Sequence, residues 1–268
     1  MLKKIVKIVV GVALATLVIL AAGVQYLLSQ PEPEGFPILE YHMVQEKNPD
    51  KAYEYNVPPA EFEQQLDYLE QEGYTTISLR DYLRAKKGLQ ELPDKPIILT
   101  FDDGYETNYT ELLPILERRG LKATIFMVGN DIGRENYMSW DQLKDIQHRG
   151  VEIGSHTANH LPLTSMSLDE ARDEVKLSKL LMEWNGMDTI YTLSYPNGKY
   201  TKEMLDMLKE EEYLAAVTGD AGLNTFETNP YLLQRINIPH PMLGLTEFKW
   251  RLLKGRLMTQ LGIGQHRQ

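Results

Sequence analysis

From Phe36 onward, short β-branched apolar runs alternate with stretches of helical period, and this restricts the fold more than any other feature of the chain. The runs fall at 36–44, 74–77, 97–101, 123–128, 151–155, 190–195, 214–217 and 232–238. Between them lie segments with apolar residues on one helical face, such as Phe62, Leu66 and Leu69. Ser78, Ser139, Ser167 and Thr201 stand where helix N-caps are expected, and Gly73, Gly120 and Gly150 where helices should stop. About seven strands alternating with helices predict a parallel sheet covered by helices. We find no internal repeat and no linker after residue 35, so the spacing predicts one α/β domain, most simply a (β/α) barrel, complete or incomplete.

The N-terminal segment reads differently. Lys3, Lys4 and Lys7 precede an uncharged apolar run over residues 8–28, about 21 residues and long enough to cross a bilayer as a helix. Basic residues in front predict the N-terminus inside and the remainder outside. Residues 1–29 are expected to be a signal anchor; a cleaved signal peptide, with Ala21-Ala22-Gly23 as the small-residue site, is the rival. Either way the remainder lies outside the cytoplasm, at the cell membrane or secreted. Pro31 to Gly35 reads as a stiff linker over 30–35, and 36–245 as the barrel, followed by a C-terminal helix and basic tail over 246–268. That tail, from Lys249, carries five Lys and Arg and no acid; it is either solvated or lies against an anionic membrane surface.

The chain has 28 Lys+Arg against 38 Asp+Glu, which argues against nucleic acid as a partner. It has no cysteine, which excludes disulfides, thiolate catalysis and cysteine metal sites.

Two stretches carry chemistry. Pro96-Ile-Ile-Leu-Thr-Phe-Asp-Asp-Gly104 is a buried-strand pattern ending in adjacent carboxylates, Asp102 and Asp103. The plain alternative is an Asp-Asp-Gly turn closing a strand. α/β sheets place their chemistry at the C-terminal ends of strands. Neighbours on an extended chain point to opposite sides, so the two carboxylates should differ in role, one holding a metal and one handling a proton. Gly154-Ser-His-Thr-Ala-Asn-His160 follows another predicted strand. One helical turn there would put His156 and His160 on a common face, and one carboxylate would complete a two-His, one-carboxylate metal site.

Thr100-Phe-Asp-Asp-Gly104 and Ser155-His-Thr-Ala-Asn-His160 resemble, in order and spacing, the first two motifs of the polysaccharide deacetylase family, carbohydrate esterase family four. The resemblance runs from about residue 36 to 240. It implies a distorted (β/α) barrel of about seven parallel strands and a divalent metal ion, Zn²⁺ first, with Co²⁺, Ni²⁺ or Fe²⁺ as alternatives. It also implies a hydrolase of linear amide bonds that removes acetyl groups from an acetylated polysaccharide. By position, Asp103, His156 and His160 match the metal ligands and Asp102 the general base. A neighbouring carboxylate can take a proton from water that the metal acidifies.

The third motif departs from the family's Arg-x-Pro-Tyr-Gly and stands as Ser194-Tyr-Pro-Asn-Gly198. The Asn197 backbone N–H can still serve as an oxyanion donor. Arg235, in the last strand, is the candidate to replace the missing arginine and orient the base. Tyr195 is a candidate substrate contact. The family's late Leu-x-His motif, source of the acid that protonates the leaving amine, has no clear match. Pro37-Ile-Leu-Glu-Tyr-His42 resembles the opening strand of the branch acting on poly-β-1,6-N-acetylglucosamine, as does the Ser-Tyr-Pro-x-Gly form. This makes His42 the preferred acid, with His240 as the alternative. The reading is an extracellular deacetylase of N-acetylglucosamine units in a cell-wall or biofilm polysaccharide. Peptidoglycan or chitin-like oligomers are alternative substrates. The rivals are a barrel glycoside hydrolase, which leaves the His pair without a role, and a glycan-binding homologue without turnover.

Overall fold

The computed structural model describes residues 2–31, 33–46 and 53–263; the side chains of residues 2, 20, 21, 24, 27, 28 and 53 fall outside that description. The expected loop over 45–57 is therefore described only in part, and His266 of the tail lies outside the described residues. The chain forms two compact units, Met1–Glu34 and Gly35–Gln268.

The first unit is one helix, α1 (Leu2–Ser29), of 28 residues. Among the described residues no helix is long and apolar enough to cross a membrane. The expected span over 8–28 contains Leu20, Ala21, Val24, Leu27 and Leu28, whose side chains are among those not described.

In the second unit the strands are β1 (Ile38–Tyr41), β2 (Met43–Val44), β3 (Asn56–Val57), β4 (Thr75–Ile77) and β5 (Pro96–Phe101). They continue with β6 (Thr124–Met127), β7 (Glu152–Ser155), β8 (Thr192–Ser194), β9 (Ala215–Val217) and β10 (Ile236–Asn237). Helices α2 (Pro59–Gln71), α3 (Leu79–Lys86), α4 (Leu113–Arg119), α5 (Trp140–His148), α6 (Leu168–Trp184) and α7 (Lys202–Glu210) separate them, and α8 (Leu245–Leu261) follows. The main sheet runs β10-β1-β5-β6-β7-β8-β9, with β4 beside the first half of β5; every pairing is parallel. β2 and β3 pair separately. The segment entering β10 touches β9 through a Val217–Leu233 bridge, while β10 itself pairs with β1. The sheet thus bends round until its two ends share one short segment. This is the expected barrel, seven strands along its path, closed at the last strand by a few residues.

Alternation along the strands sorts the core into two parts. Leu39, Tyr41, Ile97, Leu99, Phe101, Ile125, Met127, Ile153 and Leu193 face the helices in one apolar cluster. Residues of the opposite parity, Ile38, Ile98, Phe126, Ala215, Val217 and Leu233, form a second cluster that Leu79 and Tyr82 of α3 join. The inward column is apolar at the N-terminal ends and turns polar towards the C-terminal ends: Glu40 and His42 on β1, Thr100 and Asp102 on β5, Ser194 on β8, Arg235 before β10. Gly154 keeps this column passable beneath His156, since a Cβ there would stand 2.6 Å from both Phe126 and Thr192.

Local sequence sets the helix ends. Ser78, Ser139 and Ser167 each form a complete capping box, with Asp81, Gln142 and Glu170 as the reciprocal partners. Thr201 occupies the N-cap of α7, but its side chain makes no cap hydrogen bond, so the expected cap is present in position only. We predict that Ser139→Ala and Ser167→Ala each destabilise the protein by about 1 kcal/mol, and Thr201→Ala by less than about 0.5 kcal/mol. Urea unfolding midpoints at unchanged slope would check this.

Candidate metal and hydrolase site

The polar ends of the inward column open into a cavity of about 500 Å³. Glu40, His42, Asp102, Asp103, His156, His160, Asn197 and Arg235 all line it. Asp102 continues the β5 alternation into the barrel and is buried. Asp103 would point away if the strand continued, but its φ is 73°. That left-handed step turns its side chain back to the same cavity. Gly104 must follow: its φ is 77°, and a Cβ there would overlap Met127 Sδ at 2.0 Å.

The histidines converge by a route the sequence did not suggest. Residues 156–160 form no helical turn. His156 ends β7, and left-handed Thr157 (φ 66°) and His160 (φ 55°) fold the chain back on itself. The bend is held by Ser155 Oγ, which accepts from the Thr157 N–H at 3.1 Å, and by Thr157 Oγ1, which accepts from the His160 N–H at 3.1 Å. The Glu174 carboxylate of α6 accepts both the Asn159 N–H and its side-chain amide, at 2.9 and 2.6 Å. The expectation of a shared helical face is corrected: two left-handed residues bring the rings together, with centroids 4.6 Å apart.

Asp103 Oδ1 lies 3.6 Å from Nε2 of His156 and 3.6 Å from Nε2 of His160. These separations exceed a hydrogen bond, whereas two ligand atoms at about 2.1 Å from one ion stand about 3.0 to 3.4 Å apart. His156 Nδ1 meets the Ser194 carbonyl at 2.8 Å, so that nitrogen carries the hydrogen and Nε2 presents its lone pair to the cavity. Burial lowers the His156 pKa against the pull of the Asp102 and Asp103 carboxylates and favours the neutral ring that a metal requires. The donor set therefore fits a divalent cation: one carboxylate oxygen and two imidazoles, open on the cavity side.

Beside it, Arg235 is buried within the barrel and forks onto Asp102, with Nη1 to Oδ1 and Nη2 to Oδ2 both at 2.8 Å. Ser194 Oγ donates to Asp102 Oδ2 at 3.0 Å and accepts from Arg235 Nη2 at 3.0 Å. Arg235 Nε donates to the Thr218 carbonyl at 3.1 Å. Burial by itself would raise the Asp102 pKa; the Arg235 guanidinium, helped by His156, overcomes it and holds the carboxyl well below the usual range. Arg235 thus stands where the sequence reading sought a substitute for the motif arginine.

His42 faces the cavity from the end of β1, its ring 4.7 Å from that of Tyr55. His240 does not reach the cavity: its Nδ1 bonds the Asn56 carbonyl at 2.9 Å and its N–H the Glu54 carbonyl at 2.8 Å, so it ties two loops together. That geometry removes it as the alternative acid. Tyr195 is also corrected. It is fully buried with its ring against Tyr200, 5.5 Å between centroids, on the helix-facing side of β8, and makes no wall of the cavity. Asn197 does line the cavity, in a left-handed conformation (φ 57°) just past β8.

Sequence reasoning missed Glu40, Tyr55 and Tyr137, which also line the cavity. Glu40 was legible by parity, two residues before His42 on one strand. Tyr137 was not, because its place depends on a backbone bridge to Tyr105 and on ring stacking at 5.3 Å.

Comparison with known proteins places this geometry. A family model described as polysaccharide deacetylase matches residues 89–216. YxkH of Bacillus subtilis (strain 168), named for the polysaccharide deacetylases, is 32% identical over 213 residues, covering 80% of this chain and 75% of its own. The poly-β-1,6-N-acetyl-D-glucosamine N-deacetylase of Staphylococcus aureus (strain MRSA252) is 27% identical over 199 residues, covering 69% and 68%. The structure of the Streptococcus pyogenes deacetylase PplD in complex with acetate superposes with a TM-score of 0.74 at 28% identity, covering 84% of this chain and 99% of that one.

Two outcomes follow from the geometry. Asp103→Ala, His156→Ala and His160→Ala should each weaken Co²⁺ or Zn²⁺ binding, measured by equilibrium dialysis, by at least about 100-fold, the upper end of what loss of an outer-sphere partner costs. Arg235→Met leaves two buried carboxylates without their cation and should cost about 3–5 kcal/mol in denaturant unfolding.

Proposed function

Because this chain belongs to the polysaccharide deacetylase family and hydrolyses N-acetyl amide bonds, we propose that it removes acetyl groups from N-acetylglucosamine units of an extracellular polysaccharide, poly-β-1,6-N-acetylglucosamine first. One observation carries the chemistry. A three-ligand cation set (Asp103, His156, His160), an ionised carboxylate clamped by arginine (Asp102) and a histidine (His42) converge on one cavity from four separate strand ends. The choice of polymer is supported by the names of the Staphylococcus aureus relative and of its Escherichia coli (strain K12) counterpart, which is 31% identical over 150 residues.

A divalent ion held by Asp103, His156 and His160, with Zn²⁺ the first choice, supplies Lewis acidity to the acetyl carbonyl and to water. Asp102 takes the proton from the attacking water. Its fork to Arg235 keeps it ionised and fixes its direction, so no rearrangement is needed as the proton arrives. The backbone N–H of Asn197 faces the position where negative charge develops on the carbonyl oxygen, and a fixed donor there stabilises the transition state more than the substrate. His42, on the opposite wall, gives its proton to the amine nitrogen as the C–N bond breaks. Acetate and a free amine leave.

We place the catalytic unit outside the cell, held by residues 1–29. The support is the sequence: three lysines ahead of an uncharged run over 8–28, and no acid before residue 29.

The test is acetate release by the full chain in detergent, from poly-β-1,6-N-acetylglucosamine, peptidoglycan and chitin oligomers, with added Zn²⁺ or with chelator. We expect chelator-sensitive release from the β-1,6-linked oligomer. Asp103→Ala should abolish it, and His42→Ala should lower kcat by about 10²-fold or more. Faster release from peptidoglycan or chitin oligomers would overturn the choice of polymer, and full activity in His42→Ala would overturn the choice of acid.

A further inference from the structure

Glu40 is a charged group inside the cavity that the chemistry above leaves without work. It sits on β1 two residues before His42, so both side chains leave the inner face of the strand. Its side chain is 13% exposed, and Oε2 stands 3.4 Å from Arg235 Nε. One oxygen of Glu40, one of Asp102 and one ring nitrogen of His42 all lie within 4.8 Å of one another. Arg235 is committed elsewhere. Its two Nη atoms fork onto Asp102 at 2.8 Å, and its Nε donates to the Thr218 carbonyl at 3.1 Å. It therefore meets Glu40 longer than it meets Asp102 and off the direction of its Nε hydrogen bond.

Charge bookkeeping in this corner is simple. Asp102 and Arg235 cancel, and Glu40 is left as one net negative charge in a buried place. His42, once protonated, restores neutrality. Burial pushes the Glu40 carboxyl up, opposed by Arg235, which marks a carboxylate whose present compensation is incomplete. The other groups facing this corner are Asp102 and Asp103 at the end of β5 and the phenol of Tyr55, none of which adds a cation.

We propose that Glu40 is a positioning residue for His42, its carboxylate holding the imidazole protonated and turned into the cavity so that His42 enters each cycle as the acid. This rests on the assignment of His42 as the proton donor given above. The step is balanced: the ring N–H proton passes to the amine nitrogen as the C–N bond breaks, and the neutral imidazole is recharged from solvent, which the adjacent carboxylate favours. Glu40 touches neither the carbonyl nor the attacking water.

The leaving group separates this role from any effect through Arg235 on the base. An amine must be protonated to leave, whereas an aryl acetate expels a stable phenolate without an acid. Full-length Glu40→Gln is compared with wild type on an N-acetylglucosamine oligomer and on nitrophenyl acetate. The amide kcat should fall about tenfold or more, the aryl ester rate should fall less than about threefold, and the alkaline limb of the amide pH profile should move down by about one pH unit. In a His42→Ala background the same substitution should change the amide rate by less than about twofold. Glu40→Asp, which keeps the charge, should leave the limb within about 0.3 of wild type, within a standard pH titration's resolution. Equal losses on both substrates, an unmoved limb in Glu40→Gln, a limb displaced as far in Glu40→Asp, or fewer divalent ions bound would each overturn the proposal. A wild-type chain that hydrolyses neither substrate overturns the deacetylase assignment itself, a result distinct from these.

Discussion

The site and the closure of the barrel depend on one buried guanidinium. Arg235 sits inside the sheet with every donor nitrogen engaged, by Asp102, Ser194, Thr100 and the Thr218 carbonyl. An isolated charge at such a depth would be prohibitive, so the arginine and its partners can only be buried together. Those partners come from β5, β8 and the end of β9, and Arg235 itself from the segment that closes the ring. Its ionic contacts therefore do what the short last strand cannot do with two residues of pairing. The same contacts keep Asp102 ionised. Stability of the closure and reactivity of the base are one set of hydrogen bonds.

This arrangement explains how the third motif can lose its arginine. Ser194 takes the motif position, and its small hydroxyl bridges Asp102 and Arg235 at 3.0 Å each. A long side chain at 194 would occupy the space that the Arg235 side chain fills from the other side of the barrel. Serine at 194 and arginine at 235 thus form one solution, with the cation moved across the lumen while its target stays fixed.

Much of this was legible in the sequence, and what was not has physical causes. Strand and helix positions followed from periodicity, because parallel strands buried on both faces read as apolar runs. The capping boxes at Ser78, Ser139 and Ser167 followed from side-chain chemistry alone. The two motifs named Asp103, His156 and His160 by type and spacing, but the conformation joining the histidines was misread. Nothing in Thr-Ala-Asn announces two left-handed residues, since non-glycine residues adopt that region only when the surroundings enforce it. Tyr195 could have been placed correctly. Once Ser194 is turned inward to meet Asp102, strand alternation obliges Tyr195 to face the helices, where it packs. His240 could not, because its partners, the carbonyls of Asn56 and Glu54, belong to a distant loop.

Parity also bears on why β1 carries the acid. The strand is paired on both sides, to β5 and to β10, so its backbone cannot shift without breaking two ladders. A histidine one residue beyond its end inherits that rigidity, while the ring keeps freedom about its own two side-chain bonds. The base on β5 is locked by a bidentate fork, but the acid has to give up a proton and regain one in every cycle, and a comparable fork would hold it too tightly to exchange. Ring contact with Tyr55 and a nearby carboxylate on the same strand face restrain direction and charge without consuming both ring nitrogens. Rigid base and adjustable acid stand on neighbouring strands, and their separation across the cavity is set by the spacing of the sheet itself.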